Sequence, residues 1–123
     1  MSIEKRTLVL GASSNPERVS YQAVKSLKKR NIPVIAIGNR EYISEDLYII
    51  KGKPDDIIPI HTITLYLGPQ NQPEYYDYIV SLHPERIIFN PGTHNPELVK
   101  IALKNGIEVV EGCMLVMLKT GQF

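Results

Sequence analysis

The chain has 123 residues, which is the size of one domain. Its 14 lysines and arginines against 13 aspartates and glutamates leave a net charge of +1, so it lacks the strong positive field on which non-specific nucleic-acid binding depends. One cysteine, Cys113, excludes an internal disulfide and is typical of a reducing compartment. No apolar stretch approaches the ~20 residues of a membrane-spanning helix. We therefore expect a single cytoplasmic domain over residues 1–123 that binds neither nucleic acid nor membrane.

Five short apolar runs predict β-strands. Each has about three to five residues and lacks the alternation of a half-exposed strand, which indicates burial on both faces of a sheet. The runs are Thr7–Leu10, Val34–Ile37, Ile63–Leu67, Ile87–Phe89 and Ile107–Val110.

Amphipathic stretches between these runs predict helices. The first covers Ser20–Arg30 and the second Pro73–Leu82, each with apolar residues at helical spacing. The third begins after Asn95, an N-cap residue followed by Pro96, and ends at Asn105-Gly106. Strand, helix, strand in repetition predicts an α/β fold, a doubly wound and mainly parallel five-stranded sheet between two helical layers.

Two further segments are less regular. Arg40–Pro59 contains a candidate short strand, Leu47–Ile50, and is either a loop that covers a ligand or a plain connection. Cys113–Leu118 is apolar at every position and must be buried, either over the edge of the sheet or against a second copy of the chain. We expect a homodimer through Cys113–Leu118.

The loop after the first strand has the properties of an anion site. A glycine at the strand exit permits a tight turn, small residues let a ligand approach the backbone, and the following helix N-terminus offers free N–H groups. A strand-to-helix turn also needs small residues for packing, so a purely structural loop remains open. The loop reads Gly11-Ala12-Ser13-Ser14-Asn15-Pro16-Glu17-Arg18.

The loop after the second strand carries an arginine where NAD-binding domains usually carry an acid. Gly38-Asn39-Arg40 follows the strand, and a guanidinium here suits a phosphorylated ribose, either the 2′-phosphate of NADP or the 3′-phosphate of coenzyme A (CoA). A solvated surface arginine is the alternative. The later strands are followed by Gly68-Pro69, which opens a stretch suited to a pantetheine arm or to a helix start, and by Asn90 and Gly92, which suit either a ligand contact or an ordinary turn.

Together these motifs resemble the small CoA-binding domain family, which comprises stand-alone relatives of the nucleotide-binding domain in the α subunit of succinyl-CoA synthetase. The resemblance spans roughly residues 5–118. It is carried by Gly11-Ala12-Ser13 with Pro16 and Arg18, Ser20-Tyr21, Pro33–Ile37 with the exit Gly38-Asn39-Arg40, the Gly92 loop, and Gly106–Val110 leading to Cys113.

The resemblance implies a Rossmann-like domain that catalyses no established reaction by itself. Its first loop is expected to hold the diphosphate, and its second strand exit to meet the adenosine 3′-phosphate. The synthetase's active histidine lies in a separate domain, so His94 does not inherit that role, and no catalytic or metal-ligating residue is predicted.

The leading prediction is therefore non-catalytic binding of CoA or an acyl-CoA. Two alternatives stay open: an NADP-binding oxidoreductase, and a scaffold that has lost its ligand. The predicted binding residues are Gly11, Ala12, Ser13, Ser14, Arg18, Gly38, Asn39, Arg40, Gly68, Asn90 and Gly92.

Overall fold

Strands and helices alternate along residues 5–123, the part of the chain that the computed structural model describes. Two short 3₁₀ turns, Pro69–Asn71 and Pro73–Tyr75, lead into the second helix. The elements are β1 Thr7–Leu10, α1 Val19–Lys29, β2 Val34–Gly38, β3 Tyr42–Ile43, β4 Tyr48–Lys51, β5 Thr62–Leu65, α2 Tyr76–Ser81, β6 Arg86–Phe89, α3 Pro96–Lys104, β7 Glu108–Glu111 and α4 Met114–Lys119.

All these strands join one sheet in the order β3-β4-β2-β1-β5-β6-β7. Every pairing is parallel except that of β3 with β4, which is antiparallel. The predicted doubly wound, Rossmann-like α/β fold is confirmed. The predicted count of five strands is wrong, because Arg40–Pro59 adds two: β4 pairs beside β2, and the two-residue β3 closes that edge.

Helices cover both faces of the sheet, as the buried residues of β1 illustrate. Leu8 and Leu10 face the side where α2 and α3 pack, and Val9 faces the side of α1 and α4. Alternate residues of a strand point to opposite faces, so a run that is apolar throughout is needed when both faces are covered. The continuous apolar run of β1 therefore fits a sheet that lies between two layers of helices.

The helices differ from the predicted ones mainly at α2. Two prolines, Pro69 and Pro73, start separate 3₁₀ turns because neither can donate an N–H bond within a helix, and regular α-helix begins only at Tyr76. The apolar segment predicted over Cys113–Leu118 forms α4. Its Met114 is fully buried on the sheet, whereas Val116 is 55% exposed.

Candidate ligand cleft

A cleft of about 670 Å³ lies at the carboxyl ends of β1, β2 and β5. From β1 the sheet grows through β2 on one side and β5 on the other, so the strand order reverses here, which is where doubly wound sheets bind ligands. Nine of the eleven predicted binding residues line it. They are Gly11, Ala12, Ser13, Ser14, Arg18, Gly38, Asn39, Arg40 and Gly68.

The first loop presents fewer free amides than its sequence suggests. The N–H groups of Gly11 and Ala12 both donate to the carbonyl oxygen of Ile37, each at 2.9 Å. Within residues 5–123, the amides of Ser13 and Ser14 have no backbone acceptor. Gly11 and Ala12 therefore shape the loop, and Ser13 and Ser14 supply its available donors.

The start of α1 adds further donors. Its N-cap residue, Arg18, forms no side-chain cap, and the first turn carries no acidic residue. The first amides of an uncapped helix need an acceptor from outside and favour an anion. Of this turn, the N-cap residue Arg18 lines the cleft, so one end of the cleft combines the loop amides with an arginine at the start of a helix.

Gly38 is required by packing against the first loop. A Cβ at this position would lie 2.4 Å from the Ala12 carbonyl oxygen and 3.0 Å from Cγ2 of Ile49. The exits of β1 and β2 are therefore in direct backbone contact. Gly38 fixes the shape of the cleft floor from beneath the loop.

Two arginines stand at the rim. Arg18 and Arg40 are both exposed, and neither has an ion-pair partner among residues 5–123. Asn39, also exposed, lies beside Arg40 at the exit of β2. This edge carries two arginines that are free of ion pairs with residues 5–123, together with an amide, which suits a phosphorylated sugar.

The opposite wall is formed by residues after β5, several of which the sequence analysis missed. Tyr66 and Leu67 were assigned to the strand, but β5 ends at Leu65 and both line the cleft. Their place directly after a buried strand was the available signal. Gln70 and Asn71 lie in the stretch that the sequence suggested for a pantetheine arm or a helix start, and the lining residues that were not predicted are Ile49, Tyr66, Leu67, Glu74 and Tyr75.

Two tyrosines give this wall its aromatic surface. The hydroxyl of Tyr66 is buried without a partner of hydrogen-bond geometry in residues 5–123, and burial raises the pKa of Tyr66 to about 12. Burial also raises the pKa of Tyr75, and the Lys53 ammonium lies 5.2 Å from the centre of its ring. Both phenols remain neutral at ordinary pH, so this wall presents aromatic and amide groups with the Glu74 carboxylate, in contrast to the two arginines of the rim.

Asn90 and Gly92 do not line the cleft. The buried Asn90 side chain donates to Thr64 Oγ1 and to the Leu65 carbonyl, and accepts from the Met114 amide, at 2.8–2.9 Å. Gly92 has a φ of +89°, which accounts for glycine at the turn. The loop after β6 therefore joins β5, β6 and α4.

The histidine nearest to the carboxyl edge of the sheet, and the grouping of metal-ligating side chains, bear on catalytic and metal chemistry. His94 Nδ1 lies 2.9 Å from Glu111 Oε2 on the exposed ends of β6 and β7, and neither residue lines the cleft. Among residues 5–123, no three His, Cys, Asp or Glu side chains are grouped so as to hold a metal ion. In the same part of the chain, no helix combines the length and apolar character that crossing a bilayer requires.

Several solved structures are similar to this chain. An uncharacterized protein is 45% identical with a TM-score of 0.93, over 99% of this chain and 100% of that one. A hypothetical protein from Pyrococcus horikoshii OT3 is 23% identical with a TM-score of 0.84, over 95% and 83%. A dinucleotide-forming acetyl-coenzyme A synthetase 1 from Ca. Korarchaeum cryptofilum, solved with phosphate and ADP, is 18% identical with a TM-score of 0.69, over 85% and 25%. The last two likenesses show the fold.

Comparison with curated proteins finds no match. A family model described as the CoA binding domain matches residues 5–119, nearly the whole chain. The family resemblance carried by the strand-exit motifs is thereby confirmed: the protein belongs to the CoA binding domain family.

Proposed function

We propose that the cleft binds CoA or an acyl-CoA without catalysing a reaction on it. The observation that carries the proposal is the meeting of nine predicted residues in one cleft at the reversal of strand order. Membership of the CoA binding domain family supports the choice of ligand. The cytoplasmic location expected from the sequence is part of the same proposal.

The charges and donors of the cleft suggest an orientation for the ligand. The diphosphate lies against Ser13, Ser14 and the start of α1, with Arg18 beside it. The adenosine 3′-phosphate lies at Arg40 and its ribose at Asn39. The pantetheine arm then runs along the wall formed by residues 66–75.

Binding without catalysis is supported by the residue types in the cleft. No histidine, cysteine or lysine is among the residues that line it. Nucleophilic catalysis by Ser13 or Ser14 would need a base within hydrogen-bond reach. Among residues 5–123, Glu74 is the one carboxylate that lines the cleft, and it belongs to the opposite wall.

Thermal unfolding with different nucleotides tests the ligand. At a concentration of about 100 times the dissociation constant, specific binding adds about 2.7 kcal/mol to the free energy of unfolding. We expect stabilisation by CoA, and less by dephospho-CoA, which lacks the 3′-phosphate. Stabilisation by NADP alone would instead favour an oxidoreductase-type nucleotide site, and no shift with any nucleotide would favour a scaffold.

Arg40→Ala tests the proposed 3′-phosphate contact. Loss of one charge-assisted hydrogen bond weakens CoA binding by about tenfold or more, and should leave dephospho-CoA binding unchanged. Arg30→Ala is the matched control, because Arg30 is also exposed but lies after the far end of α1, outside the cleft. Equal losses for CoA and dephospho-CoA in Arg40→Ala would contradict the assignment.

The predicted homodimer also belongs to this proposal. Leu115, Met117 and Leu118 pack partly on the chain's own core, but Val116 extends the apolar surface of α4 into solvent. Size-exclusion chromatography with light scattering should give twice the 13.9 kDa mass of one chain, and Val116→Lys should halve it. A monomer at high micromolar concentration contradicts the dimer.

A further inference from the structure

Gln72 is a fully buried polar side chain that joins two loops at the carboxyl edge of the sheet. Its Nε2 donates to the Leu67 carbonyl at 2.9 Å and to the Thr93 carbonyl at 2.8 Å. Its Oε1 accepts from Asn95 Nδ2 at 2.9 Å. Both donor hydrogens and the acceptor are therefore used, which a buried amide requires if its burial is not to be costly.

The loop on the far side of Gln72 is itself firmly held. Asn95 caps α3 by accepting from the Glu97 amide, and its Nδ2 also donates to the Tyr76 hydroxyl at 2.8 Å. The Thr93 hydroxyl donates to the Asn90 carbonyl at 2.7 Å. Gln72 thus connects the chain after β5 to a rigid frame that includes the N-terminus of α3.

The loop on the near side forms the cleft wall that follows β5. Leu67, Gly68, Gln70 and Asn71 line the cleft within six residues of Gln72. The local backbone bonds, Asn71 N–H to the Gly68 carbonyl and Gln72 N–H to the Pro69 carbonyl, close turns inside the wall. The Gln72 side chain is what ties this turn to the loop after β6.

We propose that Gln72 is a positioning residue for the pantetheine arm of the bound ligand. It touches no ligand, because it is fully buried and does not line the cleft. It acts by holding the Leu67–Asn71 backbone at a fixed distance from the Gly11–Ser14 loop. The inference rests on the proposed function. It also assigns a role to the loop after β6, whose Thr93 and Asn95 hold Gln72 and thereby the cleft wall.

The test separates the two halves of the ligand. Gln72→Met keeps a side chain of similar length but removes both donors and the acceptor. Binding of CoA and of adenosine 3′,5′-bisphosphate, which lacks the pantetheine arm, is measured by titration calorimetry well below the unfolding temperature. We expect CoA to bind Gln72→Met about tenfold more weakly than the wild type, which corresponds to the loss of one hydrogen bond between the wall and the ligand. The bisphosphate should bind the variant and the wild type equally well.

Two further variants complete the design. Asn95→Ser keeps a residue suited to capping α3 but cannot reach Gln72, so a smaller loss confined to CoA is expected, and this variant replaces Gln72→Met if the latter fails to fold. Ile107→Val removes one buried methyl group away from the cleft, costs about 0.5–1.5 kcal/mol of stability, and should change neither affinity.

The outcomes are distinguishable. Equal CoA affinity in the wild type and Gln72→Met, or equal losses for both ligands, would overturn the positioning role while leaving CoA binding intact. A wild-type protein that binds the bisphosphate no more weakly than CoA would overturn the pantetheine contact on which that role depends. Absence of CoA binding to the wild type would overturn the proposed function, and the inference with it.

Discussion

A methyl group added at Gly38 should disturb the cleft by pushing on the first loop. The Cβ of Gly38→Ala would stand 2.4 Å from the Ala12 carbonyl oxygen, and side-chain Cβ atoms essentially never approach a neighbour closer than 3.0 Å. The backbone of Gly38 does not have a positive φ, so the substitution adds no conformational strain. Its effect is therefore overlap alone.

The size of the effect follows from that distance. The two strand exits must separate by about 0.6 Å to bring the contact to 3.0 Å, and the neighbouring atom is backbone, which yields less readily than a flexible side chain. Overpacking of this kind costs about 1–3 kcal/mol of stability. The displaced Ser13 and Ser14 amides lose alignment with an anion, and a hydrogen bond to a charged group contributes about 1.5–3 kcal/mol, so CoA affinity should fall at least about tenfold.

Urea unfolding and titration calorimetry measure the two effects. Gly112→Ala is the matched control, because a Cβ there would meet no atom within 4 Å and its φ is not positive. The control should be neutral or stabilised by up to about 1 kcal/mol, and should bind CoA like the wild type. If Gly38→Ala were as stable as Gly112→Ala and bound CoA equally well, the argument that backbone contact between β1 and β2 shapes the site would be refuted.

Two further predictions concern groups outside the cleft. Desolvation by burial is the main cause that lowers the pKa of His61 below 6.5, so the unfolded chain binds more protons there and the free energy of unfolding should decrease as the pH drops through 6.5. His61→Asn should make the urea midpoint depend less on pH between pH 7.5 and 5.5. A pH dependence equal to that of the wild type would contradict this. Asn90→Ala should cost about 3 kcal/mol, because it leaves buried partners unpaired, while CoA affinity stays unchanged. Asn105→Ala is the control, because Asn105 is an exposed helix-cap residue. Selective loss of CoA binding in Asn90→Ala would show instead that Asn90 contacts the ligand.

The central strands were predictable because burial on both faces demands continuous apolar runs. The same property makes the ends of the strands hard to predict, because an apolar run can continue past the last paired residue. Tyr66 and Leu67 continue the apolar run of β5, but pairing stops at Leu65, opposite Phe89 in β6. Strand β3 had no pattern to find, since both its residues are exposed and only pairing with β4 defines it.

The cleft was predictable to the extent that topology determines it. Once β1 is central, the loops that leave β1, β2 and β5 must meet at one edge, and their small and basic residues come together. Asn90 shows the limit of that reasoning. Its partners Thr64, Leu65 and Met114 lie 24–26 residues away along the chain, so nothing local distinguishes an amide that binds a ligand from one that joins strands.

The geometry also explains how so small a domain would hold the long ligand proposed for it. The Ile37 carbonyl takes the amides of Gly11 and Ala12, which locks the exits of β1 and β2 together and leaves Ser13 and Ser14 to face the cleft. On the other side, Gln72 fixes the wall after β5 to the start of α3. Contacts within the protein therefore hold both sides of the cleft in place without a ligand. A preformed site loses less binding energy to the ordering of loops when the ligand binds. That rigidity is consistent with the proposed binding of CoA without catalysis.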